Sequence, residues 1–410
     1  MKQGWEIKKL GEVCDFQNGF AFQGKSYKES GLPILRITNI QNDEIHTKEL
    51  VYFDTKDYKV NLDRFKVYQG DLLIAMSGAT TGKLGINKSE TVFYLNQRVG
   101  KFIPKKFLNK AFLYYFLTTK VEESLRIAAG AAQPNLSTEQ INNFEIPLPP
   151  LPEQQRIVSI LDEAFAAIAK AKANAEQNLK NAKELFESYL HGVFEKKGDG
   201  WKKTKLSQLF DVKHGFAFQG EYFSNSGEFV LLTPGNFFEE GGYRDRGEKQ
   251  KYYIGEIPKD FILKKSDLLV AMTEQAAGLL GSPILVPSSD KFLHNQRLGL
   301  IIPKPNVEID NEFFFHVFNL KKVRKALHDS GTGVKVRHTS PTKIGQVEIY
   351  YPKTLKAQQI IVRQLDALRA ETQKLEAVYQ KKIDDLEELK KSILQKAFAG
   401  ELKTEKAVAV

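Results

Sequence analysis

The sequence is poor in reactive and membrane-seeking features. Its 410 residues hold one cysteine, Cys14, so neither a disulfide framework nor a Cys-based metal site is available. A lone thiol of this kind is read as a small buried residue. No apolar run approaches the ~18 residues of a membrane span, and the opening Met1 to Lys9 is polar. No signal peptide and no membrane contact through a span are therefore expected, and the cytoplasm is the expected compartment. Catalytic signatures are missing as well. There is no H-E-x-x-H, no G-x-S-x-G and no amino-methyltransferase run of Asn or Asp, two prolines and Phe or Tyr. The 7 histidines fall at no metal-ligand spacing. We expect no catalytic residue and no metal. Acidic residues are also in deficit, 50 against 60 basic, a formal charge of +10 that favours a polyanionic partner, either nucleic acid or an acidic membrane surface. With 42% hydrophobic and 27% charged residues, the composition is globular and long enough for two or three domains.

What is present is a duplication. Gly4-Trp5 recurs as Gly200-Trp201, an offset of 196 (201 minus 5), and Lys9-Leu10 recurs as Lys205-Leu206. Gly19-Phe-Ala-Phe-Gln-Gly24 returns unchanged from Gly215 to Gly220, and Gly70-Asp-Leu-Leu-Ile-Ala-Met76 returns as Ser266-Asp-Leu-Leu-Val-Ala-Met272. Asn96-Gln97-Arg98 then matches Asn295-Gln296-Arg297, and Gln154-Gln155 matches Gln358-Gln359. The offset drifts by small steps, as indels in loops produce.

Each half opens with a mixed region. Leu32 to Thr38, Asp71 to Met76 and Val99 to Ile103 read as strands, and Phe107 to Ala129 as a helix repeated at Asn311 to His328. A long proline-free helix follows. The first carries apolar or Ala positions at Ile157, Leu161, Ile168, Leu179 and Phe186, the second at Ile361, Leu365, Thr372, Leu375, Leu386 and Ile393, among others. Steps of three and four over this length suggest a coiled-coil pair, each helix about 60–65 Å long. The expected fold is α+β: two similar α/β domains (1–150 and 197–353), each followed by a spacer helix (151–196 and 354–402), with a tail at 403–410. If the two stripes bury each other the helices run antiparallel, which would place the domains at opposite ends about a pseudo-two-fold axis.

One motif invites a nucleotide-binding reading. Gly19-Phe-Ala-Phe-Gln-Gly24-Lys25-Ser26 fits the phosphate-loop pattern. Such a loop opens a helix and brings bare backbone to phosphate, whereas here two Phe occupy it and Tyr27 to Gly31 is a poor helix. The second copy puts Glu221-Tyr222 at the Lys-Ser positions while keeping the six preceding residues. The repeated part is therefore read as structural, with the Phe residues as anchors. An ATPase or nuclease working through Lys25 remains a third reading.

These features together resemble the specificity (S) subunit of type I restriction–modification systems, over nearly the whole chain. The resemblance rests on the Gly-Trp openings, on Gly70-Asp-Leu-Leu-Ile-Ala-Met-Ser77 and its copy, and on Ile146-Pro-Leu-Pro-Pro-Leu-Pro-Glu-Gln-Gln-Arg-Ile-Val158 leading into the long helix. The ending Leu394-Gln-Lys-Ala-Phe-Ala-Gly400 is similar to the family's too, while Leu355-Lys-Ala-Gln-Gln359 is a degraded second lead-in. It implies two target-recognition domains, each reading one half of a bipartite, asymmetric sequence in double-stranded DNA. The helices would set the half-site spacing and dock two methyltransferase (M) subunits, which bind S-adenosylmethionine and methylate adenine. Restriction (R) subunits, two where present, would add translocation and cleavage with ATP and Mg. The chain itself would catalyse neither reaction. The alternative is a two-domain coiled-coil scaffold without DNA specificity.

Within a duplicated frame, residues that differ can tell two half-sites apart and identical ones cannot. Thr80, Thr81 and Lys83 face Ala276, Ala277 and Leu279 if Gly82 is aligned with Gly278, while Glu274 and Gln275 face Gly78 and Ala79. Glu accepts from cytosine N4 and Gln bonds adenine bidentately. Gln133 and Asn135, and Lys335, Arg337 and His338, follow matched glycines and are further candidates for base contact. Arg36 ends a predicted strand before Thr38-Asn39 and is expected to read a base or pair with an acid; with Asn39 and Asn236 it completes the DNA-binding set alongside Arg98 and Arg297, for which phosphate contact or bracing of the fold is expected. Arg324 and Lys325 read as a solvated helix face.

Overall fold

The computed structural model describes residues 4–41, 43–129, 135–275 and 278–402. The predicted tail at 403–410 and Gln133 lie outside the described residues. The chain divides into unit 1, residues 1–175 with 381–410, and unit 2, residues 176–380, so the divisions fall inside the two long helices.

Along the first half run β1 (Glu6–Lys9), β2 (Cys14–Asn18), β3 (Leu72–Ala75), β4 (Leu84–Ile86), β5 (Val99–Pro104), α1 (Lys110–Thr119), α2 (Val121–Ala129), β6 (Glu145–Leu148) and α3 (Leu151–Lys196). The second half repeats these, with the added strands β10 and β13, as β7 (Trp201–Lys205), β8 (Phe210–His214), β9 (Leu268–Ala271), β10 (Thr273–Glu274), β11 (Pro283–Leu285), β12 (Leu298–Pro303), α4 (Asn311–Asn319), α5 (Lys321–Ser330), β13 (Arg337–His338), β14 (Glu348–Pro352) and α6 (Leu355–Ala399). In unit 1 the main sheet runs β2-β5-β3-β4 and continues through Asp43–Ile45 to Ile40–Gln41; in unit 2 it runs β8-β12-β9-β11. The shared four strands are antiparallel, with Gly100 opposite Asn18 in one and Gly299 opposite His214 in the other. Both central strands, Leu72–Ala75 and Leu268–Ala271, are buried at every position, which accounts for their uninterrupted apolar runs.

The repeated hexapeptide is an anchor, as read from its sequence. Phe22 packs on Phe53 at 4.7 Å between ring centroids, and Phe218 on Tyr253 at 4.7 Å. A Cβ on Gly19 would lie 2.0 Å from the Asn96 carbonyl oxygen, and one on Gly215 would lie 2.1 Å from that of Asn295, so only glycine admits this approach. Gly24–Ser26 is a three-residue 3₁₀ turn rather than the start of an α-helix, which removes the geometry a phosphate loop requires.

The single helix expected at Phe107 to Ala129 is two. Lys120 donates its N–H to Leu117 O, a three-residue return that ends α1. In unit 2 Leu320 adopts an extended conformation (ψ 130) between α4 and α5. The break lets α1 and α4 bury apolar faces while α2 and α5 turn mixed faces outward.

The second glutamine-rich element has a clear structural task. Gln154 is fully buried; its Oε1 accepts from Asn109 N (2.8 Å), and its Nε2 donates to Phe107 O (3.0 Å) and Pro149 O (2.9 Å). Gln358 repeats this with Asp310 N (2.7 Å), Glu308 O (3.2 Å) and Pro352 O (3.0 Å). Each clamp fastens the start of a long helix to the cap of α1 or α4. A second tie sits about two turns further along each long helix: Tyr115 donates to Asp162 in unit 1, and the matched His316, 5% exposed, has Nε2 3.4 Å from Asp366 in unit 2.

Within unit 1, Ile157 and Leu161 of α3 share a core with Leu394 and Ala397 of α6. Lys390 lies over the Phe165 ring and Lys172 pairs with Glu387, so these stretches run antiparallel. Within unit 2, Phe186 and Leu190 share a core with Val362 and Leu365, and Arg369 covers the Phe186 ring. Ile168 is buried; Leu179, Ile361, Leu386 and Ile393 are half-buried. Leu375 corrects the predicted stripe: it is 42% exposed, and Thr372 (1%) takes the inward position, its hydroxyl donating to Arg369 O. The 3.6-residue turn had already carried Leu375 off the buried face.

Candidate nucleic-acid interface

Three chain segments meet at one edge of each main sheet. In unit 1, Met76 N donates to Arg98 O and Leu136 N donates to Met76 O, both within 2.9 Å, with a bridge between Ser77 and Asn135. In unit 2, Met272 N donates to Arg297 O and Thr339 N to Met272 O, and Thr273 lies opposite His338. The end of the buried strand, the Asn-Gln-Arg turn and the segment after the helical pair are thus brought together in both halves. Asn135 and His338 occupy the same structural position, as do Asn18 and His214.

In unit 1 this edge is an open groove of about 750 Å³, lined by Asn18, Ser77, Gln97, Arg98, Asn135 and Thr138 with neighbouring residues, and carrying one cation and no carboxylate. Asn18 Nδ2 donates to Thr138 Oγ1 at 2.8 Å across it. Ser77 Oγ is buried and unpaired in the groove wall, a donor and acceptor that an incoming polar group would satisfy. Neutral amides and hydroxyls around a single guanidinium match base edges beside a phosphate.

The structure sorts the predicted residues. Lys83, Arg98, Asn135, Gln275, Arg297, Lys335 and His338 are exposed. Others are corrected because their polar groups are spent within the fold. Asn39 is 1% exposed, accepting from Arg36 N (2.9 Å) and donating to His46 O (3.0 Å); Asn236, also 1% exposed, accepts from Thr233 N and donates to Gln250. Both lock tight turns. Thr81 is fully buried and donates to Gly78 O, and Glu274, 3% exposed, accepts from Gly278 N and Leu280 N. Thr80 differs from these: it is half-buried and its hydroxyl, like that of Ser77, has no hydrogen-bond partner among the described residues. Arg36 donates to Glu49 O, and Arg337 donates to His328 O, bracing loops. Arg324 is half-buried, not a solvated face; it donates to Gly278 O, and burial lowers its pKa to about 10.

The alignment of the loop is corrected too. Gly82 N donates to Ala75 O at 2.8 Å, and Gly281, not Gly278, makes the same 2.8 Å bond to Ala271 O. Their φ values agree, 80° and 79°. Lys83 therefore corresponds to Ser282, and the extra residues of unit 2 lie inside the loop. The sequence reading missed Asn18, His214, Gln97 and Gln296. The available signal was that Asn18 and His214 are the differing pair directly before an unchanged hexapeptide.

A family model for the type I restriction modification DNA specificity domain matches residues 2–180 and again 198–387. Curated relatives include the MjaVIII specificity subunit of Methanocaldococcus jannaschii, 23% identical over 98% of this chain and 93% of its own length. The StySPI specificity subunit of Salmonella potsdam is 25% identical over 98% and 90%. Among solved structures, a chain from work on complex assembly and conformational transition of the type I R-M system superposes with a TM-score of 0.78 at 17% identity, covering 98% of this chain and 99% of that one. The HsdS subunit from Thermoanaerobacter tengcongensis gives 0.58 at 17% identity, covering 98% of both. These structural likenesses establish the fold.

Proposed function

This chain belongs to the type I restriction modification DNA specificity family, and we propose that it serves as the sequence-specificity subunit of a type I restriction–modification complex. Each unit reads one half of a bipartite, asymmetric duplex target. The observation that carries this reading is the doubled edge: Gln97-Arg98 and Gln296-Arg297 are constant, while Asn18 and Asn135 stand where His214 and His338 stand. Constant arginines supply phosphate contacts common to both half-sites. The varied positions supply base contacts, asparagine pairing with adenine in the major groove and histidine presenting a single donor or acceptor.

The long helices set the distance between half-sites and dock two methyltransferase subunits on their outward faces. Those subunits bring S-adenosylmethionine, and restriction subunits, where present, bring ATP and Mg; this chain contributes recognition and no catalytic group. Methylation mapping of DNA from cells making this chain with its methyltransferase tests the reading. The expected result is a two-part motif, and Asn18→His with Asn135→His changes one part of it only. Methylation without a two-part motif, or a double variant that alters both parts, refutes it.

A further inference from the structure

Unit 2 carries a further groove, of about 500 Å³, one short helix beyond the sheet edge. Lys197, Lys203, Lys322 and Lys343 line it against a single carboxylate, Glu348. Glu348 is already engaged by Lys203 at 2.7 Å, and that bond, with Lys205 and Lys322 nearby, holds it below the usual carboxylate range. Lys197 is fixed over the Tyr350 ring, 3.8 Å from its centroid. The ammonium groups of Lys322 and Lys343, both of which line the groove, have no hydrogen bond or ion pair among the described residues, and the one carboxylate near Lys322, Glu348, is already bonded to Lys203.

The duplication supplies an internal control. In unit 1 the register that places Lys203 opposite Tyr350 places Ile7 opposite Pro147. Lys343 is the residue whose N–H bonds the capping Ser340, and its counterpart over Ser137 is Gln140. Helix α5 begins Lys321-Lys-Val where α2 begins Val121-Glu-Glu. The same framework therefore carries basic residues in one half and neutral or acidic ones in the other, so the fold does not require them.

We propose that this groove binds the phosphodiester backbone of duplex DNA beside the half-site read by unit 2, a contact unit 1 does not make. The inference rests on the function proposed above. Lysines are point charges on flexible stems, suited to phosphate and without the planar fork that reads guanine. The lining shows no large exposed hydrophobic side chain that would anchor a protein partner. Lys343 also sits on the short helix Pro341–Gly345, which begins just past Thr339 at the reading edge, so a backbone leaving that edge has this groove next to it.

The test uses the assembled complex with its methyltransferase and the duplex defined by methylation mapping. Lys322→Gln with Lys343→Gln is expected to make the slope of log affinity against log salt shallower by about 1.8, two contacts at about 0.9 each. The methylated motif stays the same. Trimming the duplex flank on the unit 2 side abolishes the difference between wild type and variant, and trimming the unit 1 side does not. An unchanged slope overturns the proposal, as does a difference that survives trimming on the unit 2 side. Loss of methyltransferase assembly at an unchanged slope assigns the groove to a protein and also overturns it. Failure of the wild-type complex to prefer its motif over random duplex refutes the function itself, a separate result.

Discussion

Gln154→Leu removes a buried amide and leaves its three partners in place: Asn109 N, Phe107 O and Pro149 O. Leucine fills similar volume and offers no polar atom, so the Asn109 N–H and both carbonyls lose their partner where water does not enter. An unsatisfied buried group costs about 1–3 kcal/mol, donors more than carbonyls. The variant should therefore lose about 2–5 kcal/mol from the unfolding of unit 1. At roughly 2–4 °C per kcal/mol for a body of this size, its transition should fall by about 4–20 °C. Gln155 next to it is exposed, so Gln155→Leu is the matched control and should shift stability by less than ~0.5 kcal/mol. Calorimetry or urea unfolding, followed by probes in each unit, reads the outcome. Equal effects of the two substitutions, or a Gln154→Leu variant as stable as wild type, would refute the clamp. Gln358→Leu should reproduce the loss in unit 2.

Other outcomes follow from the same geometry. Gly19→Ala drives a methyl to 2.0 Å from a backbone oxygen, whereas Gly24→Ala meets nothing within 4 Å. The first should unfold unit 1 or cost more than ~3 kcal/mol, and the second should be nearly neutral by denaturant titration. Burial lowers the pKa of His294 to about 4 from 6.5. The unfolded state then binds the proton more readily, so the His294 contribution is complete above pH 6.5, declines as pH falls, and levels off below about 4. That amounts to about 3 kcal/mol. His294→Leu, which installs the residue found at the matched Leu95, should flatten this part of the unit 2 stability profile. Lys25→Ala should leave DNA affinity, methylation and stability unchanged, because Gly24–Ser26 is an exposed 3₁₀ turn; a loss of nucleotide hydrolysis would revive the phosphate-loop reading.

The sequence was legible wherever local chemistry repeats. The duplication, the buried strands after Gly70 and Ser266, the long helices with no proline past the first turn and the structural character of Gly19 to Gly24 follow from residue types and spacing, because strand burial, helix propagation and tight backbone approach are constraints on neighbouring residues. What reached the surface was less legible. Asn39 and Asn236 carry the side chains of base readers and are consumed by turns; Glu274 looks like a cytosine acceptor and is consumed by the N–H groups of Gly278 and Leu280. Whether a polar side chain faces solvent or its own backbone depends on where the chain returns after the turn. The loop insertion shows the same limit. Glycine counts favoured Gly278, and the strand ladder that binds Gly281 to Ala271 decided otherwise. The meeting of Met76, Arg98 and Leu136 joins segments far apart in sequence, and the long-range backbone hydrogen bonds that join them belong to the tertiary structure alone.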